Sequence, residues 1–395
     1  MAQAISPGYA TRDIVDIMKV PRILRAARNA LIWLAAANAL VSAALASPPP
    51  RDFYDVDFEP VAGNVYVAIR PESTRQPVMG NGTVIVGDDH VVVVDGNGSP
   101  LLADRVIEHI RAITDLPVRY LVVSHWHGDH NLGNHRYLAA FPGIEIVGHR
   151  FTRQAMLGAT MDYVKQSRTA IPERLGILSK QLKAGETRDG EPLTDWQRRQ
   201  IEDLLAYSDV LVAETRASEI TPPTLTFEKV LVLRGGGPTI EIRHLGRGNT
   251  AGDAVVWLPE QRILVTGDVV VHPTPYGFYS YPRSWAAVLQ ELQALQPRLV
   301  IPGHGPVMRD TAYLSKLQHL LEDVADQAER AVASGRSLEE FRKGFDLERH
   351  RAAFTGNDAW LDSRFDAWFA QPIAEAAYNE AAGIESEKLE REPPP

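Results

Sequence analysis

Residues 124–134 read SHWHGDHNLGN and place His125, His127, Asp129 and His130 within six consecutive positions. A core strand or a solvated helix face has no use for so many metal-type donors at once. The flanks say where they sit. RYLVVSH (119–125) is a run of strand formers and a helical pattern starts near Asn134, so the donors fall where a strand ends and a helix begins. On an extended chain residues i and i+2 point the same way, so His125 and His127 can share one metal. Asp129 and His130 then turn to a second position beyond the strand end, and Gly128 permits the tight backbone between the two pairs.

The 395 residues are 45% hydrophobic, enough to bury a large core as one big domain or two. Forty-one Lys and Arg against fifty Asp and Glu leave a net charge of −9. No basic run tracks a phosphate backbone, so nucleic acid is not an expected partner. The cysteine count is zero, which removes disulfides, thiolate zinc ligands and a cysteine nucleophile together. Any metal is held by nitrogen and oxygen.

The first 46 residues read as a processing segment. Ala30 to Ala46 (ALIWLAAANALVSAALA) is apolar, follows Lys19, Arg22, Arg25 and Arg28, and ends in a small-x-small triplet. That is the pattern of a secretory signal, with normal proportions if translation starts at Met18. The alternative is an uncleaved anchor, because the run is close to the ~17-residue lower limit for spanning a bilayer. With cleavage, the chain from about Ser47 is expected to be exported to the periplasm or medium without stable membrane insertion.

Residues 47–59, beginning SPPPRD, read as a linker. Short apolar runs follow at 64–70, 82–87 and 90–95, then a helical pattern from Pro100 to Ile113, the donor strand, and a strand at 144–148. Residues from about 150 to 222 are helical in pattern, like an insertion over a scaffold. Strands resume in TLTFEKVLVLRG, TIEIRHLG, AVVWLP and RILVTGD, followed by a helix from about Ser284 and the strand RLVIPGHG. Helices close the chain over about 311–390. This alternation predicts α/β layering.

The donor stretch resembles the HxHxDH signature of the metallo-β-lactamase superfamily. VVVVDGN with Asp95 resembles the strand-end aspartate that braces the metal loop in that family. VTGD with Asp268 resembles the carboxylate bridging two metals, and IPGHGP with His304 resembles the last histidine ligand. The resemblance spans residues 60 to 310 and implies an αββα sandwich with metals at one edge. It implies a first site of His125, His127, a third histidine and Asp268, and a second site of Asp129, His130, Asp268 and His304. In GRGNTAGD the third histidine's position is Asn249. An amide oxygen is a weaker donor to zinc than imidazole, so the first site is expected to be weak or conditional while the second binds firmly.

Three readings of that departure stay open: Asn249 ligates through its oxygen, the first site is empty in use, or another histidine moves in. His244 lies up to ~16 Å away along an extended strand and is a poor substitute. His272 sits on a loop that can face the metals or the substrate. His90, His109, His319 and His350 carry no motif. Zinc is the expected metal, and the donor types leave iron or manganese open.

The chemistry implied is hydrolysis by metal-bound hydroxide at an ester, lactone, amide or phosphoester of a small molecule, with Asp129 ligating and also orienting or receiving the water's proton. The loop VHPTPYGFYSYPRSW offers Tyr276, Phe278, Tyr279, Tyr281 and Arg283 as a wall for an apolar or ring-bearing substrate, the alternative being that its aromatics pack the loop itself. A β-lactamase is one alternative. A metal-binding or sensing protein without catalysis, motivated by Asn249, is another. Oligomeric state has no signature in the sequence.

Overall fold

The computed structural model describes residues 54–70, 79–234, 237–385 and 387. The signal segment expected at the N-terminus lies outside the described residues. Two sheets form the centre. The first carries β1 (Asp57–Ala62), β2 (Val65–Ile69), β3 (Gly82–Val86), β4 (Val91–Val94), β5 (Val118–Val123), β6 (Glu145–His149) and β7 (Leu225–Phe227) side by side in chain order. The second carries β8 (Val230–Leu233), β9 (Ile240–Arg243), β10 (Val255–Leu258), β11 (Ile263–Val265) and β12 (Leu299–Ile301), in the spatial order β12-β11-β10-β9-β8.

Valine and isoleucine from both sheets meet in one buried layer, with Val65, Val92, Val122 and Val147 from the first against Ile242, Val256, Ile263 and Ile301 from the second. The outer face of the first sheet is covered by α1 (Pro100–Ile113), α3 (Asn134–Ala140) and α4 (Arg150–Leu157). The outer face of the second is covered by α8 (Pro282–Ala294), α9 (Ala312–Ala333) and the C-terminal helices α10 (Leu338–Gly344) to α13 (Gln371–Ala382). The layering is helix, sheet, sheet, helix, as expected. Strands covered on both faces need no polar side, which is why β4 is four buried valines.

Chain direction places the donors. Strands β4, β5, β6 and β7 are mutually parallel, and β11 pairs parallel with β12, so the segments after β4, β5, β11 and β12 gather at one edge. Three differences from the sequence reading are local. β1 starts at Asp57, inside the stretch read as linker; it is an edge strand containing Pro60, and its partly exposed residues hide the alternation. TLTFEKVLVLRG splits between sheets, with β7 closing the first and β8 edging the second. The last helical stretch contains a π-helical segment, Phe365–Ala370, between α12 (Ala359–Arg364) and α13. Residues 150–217 form α4, α5 (Asp162–Ala184), α6 (Asp195–Ala206) and α7 (Ser208–Ala217). Among the described residues no helix is long and apolar enough to cross a membrane.

Candidate metal centre

Beyond β5 the chain makes a short helix, α2 (Gly128–Asn131), with His127 at its N-cap. Asn131 Nδ2 donates to the carbonyls of His127 at 2.7 Å and His125 at 3.3 Å, which locks the turn carrying the donors. Asp268 sits in a 3-10 turn directly after β11, and His304 follows β12. Asn81 Nδ2 donates to the carbonyls of Pro302 and Gly305, both at 2.9 Å, and so clamps the turn on which His304 stands. A side chain at Gly303 would overlap Asp268 Oδ1, and one at Gly80 would overlap the His130 ring, so both positions need glycine for close approach.

These turns bring together two donor groups that share Asp268. Asp129, His130, Asp268 and His304 form one, and His125, His127 and Asp268 form the other, each with its ligand atoms within 4.8 Å of one another. His130 Nε2 lies 3.1 Å from His304 Nε2 and 3.0 Å from Asp268 Oδ1. His304 Nε2 lies 3.2 Å from Asp129 Oδ2, and His125 Nε2 lies 3.5 Å from Asp268 Oδ2. Asp268 is almost fully buried, while the side chain of Asp129 keeps 27% of its surface exposed.

Hydrogen bonds behind the rings set their tautomers. Asp95, at the end of β4, accepts from Ser124 N and Ser124 Oγ, each at 2.8 Å, and faces His130 Nδ1 at 2.8 Å. With Nδ1–H given to Asp95, His130 Nε2 carries a lone pair toward Asp268 and His304. Ser124 Oγ, its own proton committed to Asp95, accepts from His125 Nδ1 at 2.9 Å, which leaves His125 Nε2 a lone pair as well. Asp95 holds this position at φ 66°, a left-handed backbone that Asp tolerates better than most residues.

The residues fit a metal on that observation. His125 Nε2, Asn249 Oδ1 and both Asp268 oxygens are buried without a hydrogen-bond partner. With His125 neutral, its Nε2 lone pair faces Asp268 Oδ2 at 3.5 Å, a buried repulsion that a cation between them reverses.

The electrostatics of the metal-free cluster follow. Burial opposes the charged form of His130, yet Asp268, Asp129 and Asp95 around it hold its pKa well above the ordinary value. His304 is raised to about 9 against its burial, first by Asp268. Burial and then His125 push His127 down to about 3. Asp129 is lowered to about 2 despite burial, by His130 and His304, and Asp268 lies well below the carboxylate range for the same reason.

Asn249 is fully buried; its Nδ2 donates to the carbonyl of Tyr276 at 3.0 Å, which leaves Oδ1 as the free donor atom of the side chain. His244 is not part of either donor group: its Nδ1 faces the Asp253 carbonyl at 2.8 Å and its ring stacks on His149. A cavity of about 790 Å³ opens onto His127, Asp129 and Asp268, and Tyr276, Phe278 and Tyr279 line it. His272 differs from expectation. It is not among the residues lining this cavity; its ring packs edge-on against Tyr313 of α9, with centroids 5.0 Å apart.

Sequence reasoning missed Arg364. Its Nη2 donates to Tyr276 Oη at 2.7 Å, its guanidinium lies over the rings of Trp360 and Trp368, and the residue is only 7% exposed. Ser124 was also missed, although it opens the donor stretch; a hydroxyl one residue before a histidine was its only signal.

A family model described as the Metallo-beta-lactamase superfamily matches residues 75–304, more than half of the chain. A linear primary-alkylsulfatase of Pseudomonas sp. (strain ATCC 19151) is 24% identical over 283 residues, 69% of this chain and 51% of that protein. A metallo-beta-lactamase type 2 of Elizabethkingia meningoseptica is 25% identical over 146 residues, 33% of this chain and 57% of that protein. The chain thus spans about half the length of these relatives. A solved metallo-beta-lactamase from Pontibacter korlensis aligns at TM-score 0.45 and 20% identity, over 68% of this chain and 99% of that one. With the donor order and the sandwich in place, the chain belongs to the metallo-beta-lactamase superfamily.

Proposed function

We propose that the protein is a metal-dependent hydrolase that cleaves an ester-type or amide bond of a small molecule. The observation that carries this reading is the pair of donor groups sharing Asp268 at the mouth of a cavity large enough for a small-molecule substrate. Asp129, His130, Asp268 and His304 would hold one zinc firmly. His125, His127, Asp268 and the free oxygen of Asn249 would hold a second more weakly, because an amide oxygen replaces an imidazole there. When bound, the metal supplies Lewis acidity, acidifying water toward neutral pH and polarising the scissile group.

The chain's own residues do the rest. Asp95 fixes His130 directly and His125 through Ser124, so both present a lone pair without reorganising. Asp129 is the donor-group carboxylate with exposed surface and lines the cavity, which suits it to orient a water and take its proton. Asn249 and Arg364 brace Tyr276 at its carbonyl and its hydroxyl, fixing one wall of the substrate cavity.

The alkylsulfatase relative favours a second reading in which the bond cleaved is a sulfate ester. Export is proposed from the N-terminal segment alone. The test is metal content per chain together with turnover on β-lactam, carboxylic ester, sulfate ester and phosphodiester substrates. Bound metal with turnover on one class upholds a hydrolase; bound metal with turnover on none favours a binding protein.

A further inference from the structure

Resting on that hydrolase reading, we infer that the substrate is a neutral carboxylic ester bearing a long apolar chain, with the ester at the metal donors and the chain lodged beneath the helical segment 150–217. The cavity runs from Asp129 and Asp268 to side chains contributed by separate parts of the fold. Met79 comes from the loop before β3, Leu132 from the end of α2, Val164 and Ile171 from α5, Leu211 from α7 and Phe278 from the aromatic loop. Two helices of that segment therefore supply the far wall, and Tyr163 Oη of α5 accepts from Gly128 N at 2.8 Å, tying the wall to the donor turn. Its volume of about 790 Å³ falls in the ~300–1,000 Å³ range of small-molecule sites, far more than a small acyl group fills.

Charge narrows the class. Among the described residues the acidic side chains lining the cavity are Asp129, Asp162, Glu214 and Asp268, and no described Lys or Arg lines it. Away from the metal donors none of these described side chains pairs with an anionic group carried along the substrate, and burying such a group unpaired is costly. The aliphatic and aromatic walls instead reward each methylene removed from water. In the reaction, the water oxygen bonds to the acyl carbon and the acyl carbon–oxygen bond breaks. The leaving alkoxide takes a proton from that water, giving one acid and one alcohol.

The test uses the zinc-loaded full chain. Binding of n-alkanols from butanol to decanol is followed by the fluorescence of Trp126 and Trp368, which line the cavity. Affinity is expected to rise about fourfold per added methylene, equivalent to ~0.8 kcal/mol per buried CH2. A flat series overturns the assignment. Of two charged decanols, 10-aminodecan-1-ol should bind about tenfold tighter than 10-hydroxydecanoate at the same ionic strength, given the carboxylates present; the reverse order overturns it. Ile171→Ala and Leu211→Ala should flatten the length dependence, with circular dichroism reporting the fold, and the wild-type series decides if either fails to fold. In turnover, kcat/KM for p-nitrophenyl octanoate should exceed that for the acetate at least tenfold. Cleavage of decyl sulfate with the octanoate ester untouched contradicts a carboxylic ester. Length-dependent binding with no turnover on any ester overturns the hydrolase reading and leaves the chain-binding cavity standing.

Discussion

Asp95 and His130 meet at 2.8 Å between Oδ2 and Nδ1, and the same Asp95 oxygen accepts the hydroxyl of Ser124, whose oxygen in turn accepts from His125. One carboxylate therefore orients a ligand of each donor group. Asp95→Asn replaces an acceptor with a donor at one position and is expected to lower zinc affinity at both groups by ~10- to 100-fold, the usual cost of losing a ligand's hydrogen-bond partner. Zinc titration against a competing chelator measures it. Loss confined to one group would mean that Ser124 does not pass the constraint on to His125.

Asn249 is expected to act on the group of His125 and His127 alone. Asn249→Leu keeps the bulk and removes the oxygen, so the weak zinc step should disappear while the firm step at Asp129, His130, Asp268 and His304 stays within about threefold of wild type. A two-step calorimetric titration reads both. An unchanged weak step would show that Asn249 does not ligate.

The donor order made most of this centre legible in the sequence. HxHxDH, Asp268 and His304 lie at strand ends, where side chains project from the edge of an α/β sandwich, and their spacing survives in one dimension. Arg364 was not legible, because its partner Tyr276 is 88 residues away and only the packing of the π-helical segment against the aromatic loop unites them. His272 misled for the converse reason: four residues after Asp268 it is near in sequence, but its ring packs on Tyr313. β1 was hidden because an edge strand with Pro60 lacks the two-residue alternation of a half-buried strand.

Arg364 is nearly buried between aromatic rings and bonded to Tyr276. Arg364→Ala removes three cation–π contacts, with Tyr276, Trp360 and Trp368, together with a hydrogen bond and the packing of a long side chain. A loss of about 2–4 kcal/mol is expected in urea unfolding. The variant should also raise KM more than it lowers kcat, because the wall carried by Tyr276 loosens while the donor groups stay. A change below ~0.5 kcal/mol would deny Arg364 this role.

His149 supplies a pH dependence away from the metal centre. Burial and then the stacked His244 lower its pKa from 6.5 to about 3. Its Nε2 faces the Glu228 carbonyl at 3.1 Å, and its Nδ1 accepts from Phe151 N at the start of α4, a role that protonation removes. The folded pKa is below the unfolded one, so this contribution is fully present above pH 6.5 and is lost as pH falls toward 3. In the metal-free chain, His149→Asn should reduce the acid-side slope of stability by up to ~1.4 kcal/mol per pH unit. Urea midpoints between pH 7 and 4 test it, and equal slopes would contradict it.

Turnover of p-nitrophenyl octanoate against zinc bound per chain tests the metal-dependent hydrolase most directly. Chelation should abolish turnover, and re-added zinc should restore it as the group of Asp129, His130, Asp268 and His304 fills, with Asp268→Asn silent at every zinc level. Undiminished turnover by a chain stripped of metal, or by Asp268→Asn, would contradict it.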